Sequence, residues 1–253
     1  MATVTVATFN IFNKWGRWGE RLPLVLEQLT ELQPDVIALQ EIDLIIDQGM
    51  SLCRLVNARL IEGQQRYWIY HMGRPGRAAH IQALAVMSRL PAERHEGLDF
   101  LSYEGVSQRL RLRVADGIAL DFYNTHLYWP PDAVEERLAQ AKRLLEWVDT
   151  WQGAAATVVC GDFNAYVGEP TVALMKERFV SAHEAVHGRE PEKTWSTPVN
   201  TYDPSPHGCL DYIYVAGAKV LDAGLTLDKP SPLDADLYPS DHLGVMARLE
   251  IRS

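Results

Sequence analysis

The chain has 253 residues, of which 47% are hydrophobic and 23% are charged, a composition typical of a soluble globular protein with a well-buried core. Its formal net charge of -9 argues against a protein that holds nucleic acid or an anionic membrane by overall electrostatic attraction, although a local basic groove is compatible with it. The three cysteines lie far apart in the sequence, which predicts neither a disulfide framework nor a zinc site.

We expect neither a membrane helix nor a signal peptide in this sequence. No stretch approaches the ~18 consecutive apolar residues that a membrane helix needs, and the first residues lack the pattern of a signal peptide. We therefore expect a cytoplasmic protein without a transmembrane segment. Because no linker-like tract divides the sequence, residues 1–253 are expected to form one domain. No obligate protein partner is indicated, and we expect a monomer.

The first half of the chain alternates predicted strands and helices. A strand rich in Thr and Val is predicted over residues 3–9, and apolar residues at helical spacing predict a helix over residues 20–32. Pro34 ends this helix before a predicted strand over residues 35–39. The next predicted elements are a helix over residues 44–60, an extended segment over 65–72, a loop over 73–77 and a strand over 81–87.

The second half adds a hairpin to the same alternation. Residues 109–114 and 118–123 are predicted to pair antiparallel because Asp116-Gly117 is a strong two-residue turn signal. Further predicted elements are a helix over residues 130–151, a strand over 157–160, a helix over 171–178, a strand over 209–215 and a last strand entered at 240–245. This mixture predicts two packed sheets with helices outside.

Polar residues recur where predicted strands end. Alternate side chains of a strand share a face, so we expect Asp162 and Asn164 to point together while Phe163 turns into the core. The alternative interpretation is a turn in which Asp162 caps the next helix. Other strand ends carry Asn10, Glu41, His126, Asp211, Asp241 and His242. Each alone has a structural explanation, but recurrence weakens it because ionisable groups beside buried strands are costly unless paired or ligated.

These residue types suit one kind of chemistry. Hard oxygen ligands favour Mg²⁺ or Mn²⁺, and histidines with spare carboxylates supply general acids and bases. Such a set is typical of phosphate-ester hydrolysis, in which a metal and an imidazolium stabilise charge on the phosphate oxygens. The sequence has neither a Gly-x-x-x-x-Gly-Lys loop nor a Gly-x-Ser-x-Gly elbow, so an ATPase or a serine esterase is not supported.

Six motifs, in order along almost the whole chain, resemble the endonuclease/exonuclease/phosphatase superfamily, the DNase I-like hydrolases. The motifs are Thr8-Phe9-Asn10, Leu39-Gln40-Glu41, Asn124-Thr125-His126-Leu127, Gly161-Asp162-Phe163-Asn164, Leu210-Asp211-Tyr212-Ile213 and Ser240-Asp241-His242. The resemblance implies an α/β (α+β) fold, a four-layer α/β/β/α sandwich of two mixed sheets with flanking helices. The active site is then expected at one edge of the two sheets.

The resemblance also implies roles at the metal and at the attacking water. Glu41 is similar to the principal Mg²⁺ ligand of the family, and Asn10 and Asp241 are expected near the metal. Asp162 and Asn164 are expected to position or activate the water beside the phosphate.

Two histidines complete the set that the resemblance implies. His242, oriented by Asp211, is expected to contact a phosphate oxygen and stabilise the transition state. His126 is similar to a histidine that members with Thr-His motifs place near the leaving group. Which of His126 and Asp162 moves a particular proton is not decided by the sequence.

Two loops are candidates for substrate binding. Trp15, Arg17 and Trp18 follow Asn10 directly and either contact substrate, by stacking a base, gripping a lipid headgroup or clamping a sugar, or pin the loop to the fold. Arg74, Arg77 and His80 either reach phosphates or lie in a solvated loop. Arg109, Arg111 and Arg113 alternate along one strand and are predicted to form surface ion pairs.

Departures from the family pattern bear on the substrate. Abasic-site repair members carry an aromatic hydroxyl at the position of His126, so the chain looks more like the DNase, sphingomyelinase and small phosphodiesterase branches. Cys209 stands where a basic residue is frequent, and His80 where an asparagine is usual.

Three functions follow from these observations. The first is a Mg²⁺-dependent phosphodiesterase or phosphatase acting on a small molecule or lipid headgroup. The alternative is a DNase-type nuclease, which needs a positive groove along its substrate. A binding module without activity is the third, and the intact motif residues argue against it.

Overall fold

The computed structural model describes residues 1–73, 82–101, 105–202 and 204–252. The strands within these residues are β1 (Ala2–Asn10), β2 (Val36–Ile42), β3 (Trp68–Met72), β4 (Ala83–Ser88), β5 (Ala92–Asp99), β6 (Val106–Ala115), β7 (Ile118–His126), β8 (Ala156–Asp162), β9 (Val180–Ser181), β10 (Asp211–Ala216), β11 (Ala218–Thr226) and β12 (Gly244–Ile251). The helices are α1 (Trp18–Leu32), α2 (Gln48–Asn57), α3 (Val134–Asp149), α4 (Pro170–Lys176) and α5 (Ala182–His187).

The strands form two mixed sheets of six strands each, and both sheets are built in the same way. The first has the order β11-β12-β1-β2-β4-β3 and the second β5-β6-β7-β8-β10-β9. Each contains a parallel pair, β1 with β2 and β7 with β8, whereas the neighbouring ladders are antiparallel. Helices α1 and α3 connect these pairs, so two βαβ units lie at the centre of the fold.

Three apolar clusters separate the layers. Valines and leucines of both sheets, such as Val6 and Leu120, form the cluster between the sheets. The outer face of the first sheet packs against α1 and α2, and the outer face of the second packs against α3 and α4. The molecule is therefore the four-layer sandwich that the sequence resemblance implied.

The main differences from the predicted elements lie at sheet edges and helix ends. Strands β5 and β11 were not predicted, because both are edge strands with charged or half-exposed residues and a weak alternation of apolar side chains. The short β9 and α5 were also missed. Helix α2 is shorter than predicted because residues 44–47 form a turn, in which the Asp43 carboxylate accepts the N–H of Ile45.

The prediction of surface ion pairs for the arginines of β6 is wrong about the location of Arg109. Its side chain is fully buried, pairs with Glu96 and Asp121 at 2.8 and 2.7 Å, and lies 4.0 Å from the ring centroid of Trp151. Arg111 pairs with Asp121 and is partly exposed. Ion pairing is thus confirmed for these two arginines, but Arg109 belongs to the interior because Trp151 covers it.

The three cysteines, Cys53, Cys160 and Cys209, are buried and form no disulfide. Burial raises the pKa of Cys53 to about 11, so its thiol stays protonated at neutral pH. Within the described ranges, no helix is both long and apolar enough to cross a membrane.

Gly161 allows the close approach of β7 and β8 at the end of the sheet. Its φ is 139°, and a Cβ at this position would lie 2.0 Å from the carbonyl oxygen of Thr125, its partner on β7. No side chain fits there without moving a strand. The glycine of the Gly-Asp-Phe-Asn motif therefore brings Asp162 beside the end of β7.

We predict that Gly161→Ala lowers the free energy of unfolding by at least about 2 kcal/mol, because the methyl group meets backbone rather than a flexible side chain. Urea denaturation followed by circular dichroism measures the loss. The matched control is Gly224→Ala on β11, where a Cβ meets nothing within 4 Å, and its stability should change by less than about 0.5 kcal/mol. Equal stability of the two variants would contradict the close approach.

Candidate active site

Asp162 stands at the centre of a row of polar side chains across three strands. It ends β8 and lies in register with His126 at the end of β7 and with Asp211 at the start of β10. Since neighbouring strands lie about 4.8 Å apart, the register of the strands brings these side chains close together. The His126 Nε2 atom is 3.5 Å from Asp162 Oδ2.

Asn10 links this row to the other sheet. It is the last residue of β1, and its Nδ2 atom donates to Asp162 Oδ2 at 3.0 Å and to Glu41 Oε1 at 3.2 Å. Its Oδ1 accepts the N–H of Phe12 at 3.0 Å, which fixes the side chain. Two carboxylates from different sheets therefore converge on one buried amide.

His242 approaches the row from the loop before β12. Its Nδ1 atom is 2.8 Å from Asp211 Oδ2, and its Nε2 atom is 3.7 Å from Asp162 Oδ2. The ring is buried, with 5% of its surface exposed. His242 and His126 thus direct their Nε2 atoms toward the same oxygen of Asp162.

The charges around His242 favour its imidazolium form. Burial lowers the pKa of His242, but the carboxylates of Asp211, Asp162 and Asp241 outweigh burial and raise it well above its ordinary value. Burial raises the pKa of Asp211, and the charge of the neighbouring His242 opposes this shift.

The side chains of Asp162, Asp211 and His242 have ligand atoms within 4.8 Å of one another, a spacing that a metal ion could also use. However, a doubly protonated imidazole has no lone pair for a metal. The 2.8 Å contact between His242 Nδ1 and Asp211 Oδ2 gives the trio the geometry of a carboxylate–imidazole pair beside a second carboxylate.

Glu41 has the features of a cation ligand. It lies at an irregularity of the ladder between β2 and β4, with φ of 60°, which turns its side chain to the sheet edge. The residue is partly exposed, yet its Oε2 atom is buried without a hydrogen-bond partner, and burial raises the pKa of its carboxyl. A buried, unpartnered carboxylate oxygen fits a bound divalent cation.

Asp241 is the second buried carboxylate on this side. Its Oδ2 accepts Asn200 Nδ2 at 3.0 Å and Trp195 Nε1 at 3.4 Å, and burial raises its pKa. Sequence reasoning missed Asn200 and Trp195, because they lie in the long connection before β10 and follow no strand.

Asn164 fixes Asp162. Its backbone N–H donates to Asp162 Oδ1 at 2.8 Å, and its Nδ2 donates to the carbonyl oxygen of Leu127 at 2.9 Å. Phe163 packs inward against Tyr212 and Tyr214, as predicted. The alternative in which Asp162 caps the next helix is wrong, since Glu169 stands before the first residue of α4.

A cleft of about 460 Å³ opens above these groups. Its floor includes Glu41, His126, Asp162, Asp241 and His242. Aromatic side chains form much of its wall, namely Phe12, Trp15, Trp129, Tyr166, Trp195 and Tyr202. Trp129 and Tyr202 are highly exposed, at 60% and 80% of their surfaces. Most of this wall escaped sequence reasoning, although Trp129 follows a strand end just as Trp15 does.

The structure separates the residues that were predicted to bind substrate. Trp15 lines the cleft. Arg17 instead pairs with Glu20 and Asp234, and Trp18 lies over Arg21 and packs against the outer face of the first sheet. Of these three side chains, only Trp15 is part of the cleft wall. His80, with Arg74 and Arg77, lies outside the described residues.

Residues 7–242 match the model of the Endonuclease/Exonuclease/phosphatase family. The chain belongs to this family. Nocturnin from Xenopus laevis is 28% identical over 274 residues, which cover 91% of this chain and 64% of that protein. The carbon catabolite repressor protein 4 homolog 4 of Arabidopsis thaliana is 30% identical over 161 residues, covering 51% of this chain and 37% of that protein. The chain thus spans less than two thirds of either relative.

Solved structures of the same fold match almost the whole chain. Truncated TDP2 from Caenorhabditis elegans has a TM-score of 0.74 at 22% identity, covering 98% of this chain and 97% of that one. A family protein from Bacteroides thetaiotaomicron has a TM-score of 0.79 at 17% identity, covering 99% and 98%. At these identities the likeness establishes the fold, and family members are hydrolases of phosphate esters.

We predict that Glu41→Gln stabilises the metal-free protein by roughly 1 kcal/mol. Since burial raises the pKa of Glu41, ionisation of its carboxyl opposes folding, and stability falls as the pH rises through that pKa. Thermal unfolding at pH 7 with chelator measures the gain. Added Mg²⁺ should then raise the Tm of the wild type but not that of the variant.

The control for this prediction is Glu27→Gln on the exposed side of α1, which should leave both the Tm and the response to Mg²⁺ unchanged. A Glu41→Gln variant that is less stable than the wild type without metal would contradict the cost of burying this carboxylate. A variant that Mg²⁺ stabilises as much as the wild type would show that Glu41 is not a cation ligand.

Proposed function

We propose that this protein is a divalent-metal-dependent hydrolase of phosphate esters in which water attacks phosphorus directly. The observation that carries the proposal is the convergence on Asp162 Oδ2, which accepts the Asn10 amide and faces the Nε2 atoms of His126 and His242. A base and two imidazoles at one point of a cleft are what proton transfer around a phosphate requires.

The proposed metal is Mg²⁺, with Mn²⁺ as the second choice, because the available donors are carboxylate and amide oxygens. Glu41 would be its principal ligand, with Asn10 and Asp241 beside it. When bound, such a cation neutralises charge on the phosphate oxygens. The unpartnered Oε2 atom of Glu41 supports this assignment.

The chain's own residues divide the proton transfers among them. Asp162 takes a proton from the attacking water, and Asn164 holds the Asp162 carboxylate in place. The imidazolium of His242, oriented by Asp211, donates a hydrogen bond to a phosphate oxygen. His126, at the other end of the row, supplies a proton to the leaving oxygen as the bond from phosphorus to that oxygen breaks.

We predict that Asp162→Asn and His242→Ala each lower kcat for a chromogenic phosphodiester by about a thousandfold or more, because each removes a group that acts on the reacting atoms. Steady-state assays with Mg²⁺ measure the effect, and circular dichroism checks the fold. The control is Asp149→Asn, a surface carboxylate paired with Arg178, which should keep wild-type turnover.

Metal removal gives an independent arm of the same test. Exhaustive treatment with EDTA should silence the wild type, and added Mg²⁺ should restore it. Unchanged turnover in Asp162→Asn, or activity that survives the chelator, would sink the proposed mechanism.

The substrate that the cleft suits best is a small molecule or lipid headgroup with one scissile phosphate. A cleft of about 460 Å³ is within the usual range for small-molecule sites. The net charge of -9 also disfavours a long polyanion such as duplex DNA.

The second candidate is a nuclease that acts on single-stranded nucleic acid. Its support is the aromatic wall, on which bases of a single strand stack. Relatives named as nucleases add to it, including the CCR4-Not complex 3'-5'-exoribonuclease subunit Ccr4 of Saccharomyces cerevisiae. A structure of similar fold, TDP2 from D. rerio, was solved with a single-strand DNA product.

We predict that kcat/KM is at least as high for small phosphodiesters as for single-stranded oligonucleotides, and that it changes less than about twofold between about 50 and 200 mM salt. A panel of small diesters, phosphomonoesters, sphingomyelin-type diesters, sugar phosphates, single-stranded DNA and RNA, and plasmid DNA measures this. A preference for oligonucleotides with a steep fall in salt would instead select the nuclease.

A further inference from the structure

Two fully buried arginines occupy the same position in the two βαβ units. Arg21 is the fourth residue of α1, and Arg137 is the fourth residue of α3. Each follows a glutamate and precedes a leucine. A loop connects β1 to α1, and another connects β7 to α3. Both loops contribute aromatic or proline side chains to the cleft.

Arg21 gathers the backbone of the first loop, residues 11–16. Its guanidinium donates to the carbonyl oxygens of Ile11 (2.9 Å), Phe12 (3.1 Å), Asn13 (3.3 Å), Trp15 (2.6 Å) and Gly16 (2.7 Å), and to that of Pro239 (2.8 Å). It also contacts the rings of Phe12 and Trp18. Five successive or nearly successive carbonyls of one loop thus turn inward to a single side chain.

The first loop needs such a support because its backbone is strained. Phe12 and Asn13 have φ values of 57° and 44°, and Arg17, directly after the loop, has 64°, a region that most residues with a Cβ avoid. The same strained stretch contributes Phe12 and Trp15 to the cleft wall and follows directly on Asn10.

Arg137 does the same for the second loop, residues 128–131. Its guanidinium donates to the carbonyl oxygens of Tyr128 (3.4 Å), Pro130 (2.5 Å) and Pro131 (3.0 Å). It also pairs with Glu169 at 3.0 Å, and Glu169 accepts the N–H of Tyr166, another residue of the cleft wall. This loop contributes Trp129 and Pro131 to the cleft.

We infer that Arg21 and Arg137 are a pair of positioning residues. They hold the part of the aromatic wall that the two loops carry, Phe12 and Trp15 in the first and Trp129 in the second, in its substrate-binding arrangement before substrate arrives. Neither guanidinium touches the reacting groups; each acts through the loop whose carbonyls it binds. The planar guanidinium of arginine has five N–H groups on three nitrogen atoms, so it can donate to several carbonyl oxygens that lie in different directions. The three N–H groups of a lysine share one nitrogen atom and cannot reach all of these oxygens. When the loops are already ordered in the free protein, less conformational entropy is lost on substrate binding.

The two residues differ in one respect. Arg21 also holds the carbonyl of Pro239, which directly precedes the Ser240-Asp241-His242 motif. Arg137 makes no such contact with the motif among the described residues. Loss of Arg21 is therefore expected to disturb both binding and turnover, whereas loss of Arg137 is expected to disturb binding.

The kinetic test, which rests on the proposed hydrolase function, uses Arg21→Lys and Arg137→Lys. Both should raise KM for the best small diester at least about tenfold, since displaced walls bind substrate poorly. In Arg137→Lys, kcat should stay within about threefold of the wild type, and in Arg21→Lys it should fall by more than about tenfold. The matched control is Arg109→Lys, an equally buried arginine away from the cleft, with KM and kcat unchanged.

A second measurement does not depend on activity. In hydrogen exchange followed by mass spectrometry, amides of residues 11–17 should exchange at least about tenfold faster in Arg21→Lys. In Arg137→Lys the same should hold for the amides of Tyr128, Trp129, Asp132 and Ala133, since Pro130 and Pro131 carry no N–H. Each variant should leave the other loop unchanged. In the wild type, the hydrogen-bonded amides of both loops should exchange as slowly as those of the neighbouring strand ends. These amides are those of Ile11, Phe12, Lys14 and Trp15 in the first loop, and those of Tyr128 and, just after the second loop, Ala133.

Fast exchange of both loops in the wild type would overturn the inference without any variant. So would lysine variants with unchanged exchange in their own loop, or an Arg109→Lys variant with the same rise in KM. Should the Asp162→Asn variant keep full activity, the proposed mechanism fails while the exchange pattern still decides whether the two arginines position the loops.

Discussion

The hydrogen bond between Asn10 Nδ2 and Asp162 Oδ2 is the contact on which the site depends, because it joins the last residue of a central strand in one sheet to that of a central strand in the other. Below it, Gln40 Nε2 donates to Asn124 Oδ1 at 2.8 Å across the same boundary. Asn124 Nδ2 in turn donates to the carbonyl oxygens of Leu39 at 3.1 Å and Ala85 at 3.0 Å in the first sheet, and Gln108 Nε2 donates to that of Tyr70 at 2.8 Å. The remaining space between the sheets is filled mainly by apolar side chains. These polar links therefore fix how the sheet edges meet, and with them the distance between Glu41 and the row of Asp162.

Function and stability oppose each other at this edge. Burial raises the pKa of Glu41, Asp211 and Asp241, so ionisation of these carboxyls destabilises the folded state. Imidazolium at His242 offsets part of this repulsion. A bound cation at Glu41 would offset more of it. Two neighbouring features also stabilise this edge. Gly161 allows β7 to approach β8 closely, and the Arg21 side chain binds the strained loop after Asn10.

The residues to which the proposed mechanism gives chemical roles were visible in the sequence, whereas most of the aromatic residues that line the cleft around them were not. Asp162, His126 and Asp211 follow or begin buried strands, and strand register brings such residues together. Side chains such as Trp129 lie on loops, and the path of a loop depends on backbone contacts with residues far away in the sequence. The position of a Trp next to a motif therefore did not predict whether its side chain faces the cleft. Arg17 and Trp18 fail as cleft residues for that reason, and Arg109 is buried because Trp151, far along the chain, covers it.

The central step of the proposed mechanism is a single in-line attack of water, deprotonated by Asp162, on phosphorus. Hydrolysis of a chiral phosphorothioate diester in ¹⁸O-labelled water by the Mg²⁺-loaded wild type tests it most directly. One displacement predicts inverted configuration at phosphorus and one solvent oxygen in the product from the first turnover. Retained configuration, or a first turnover without solvent oxygen, would require a covalent intermediate on the protein and would contradict the role of Asp162.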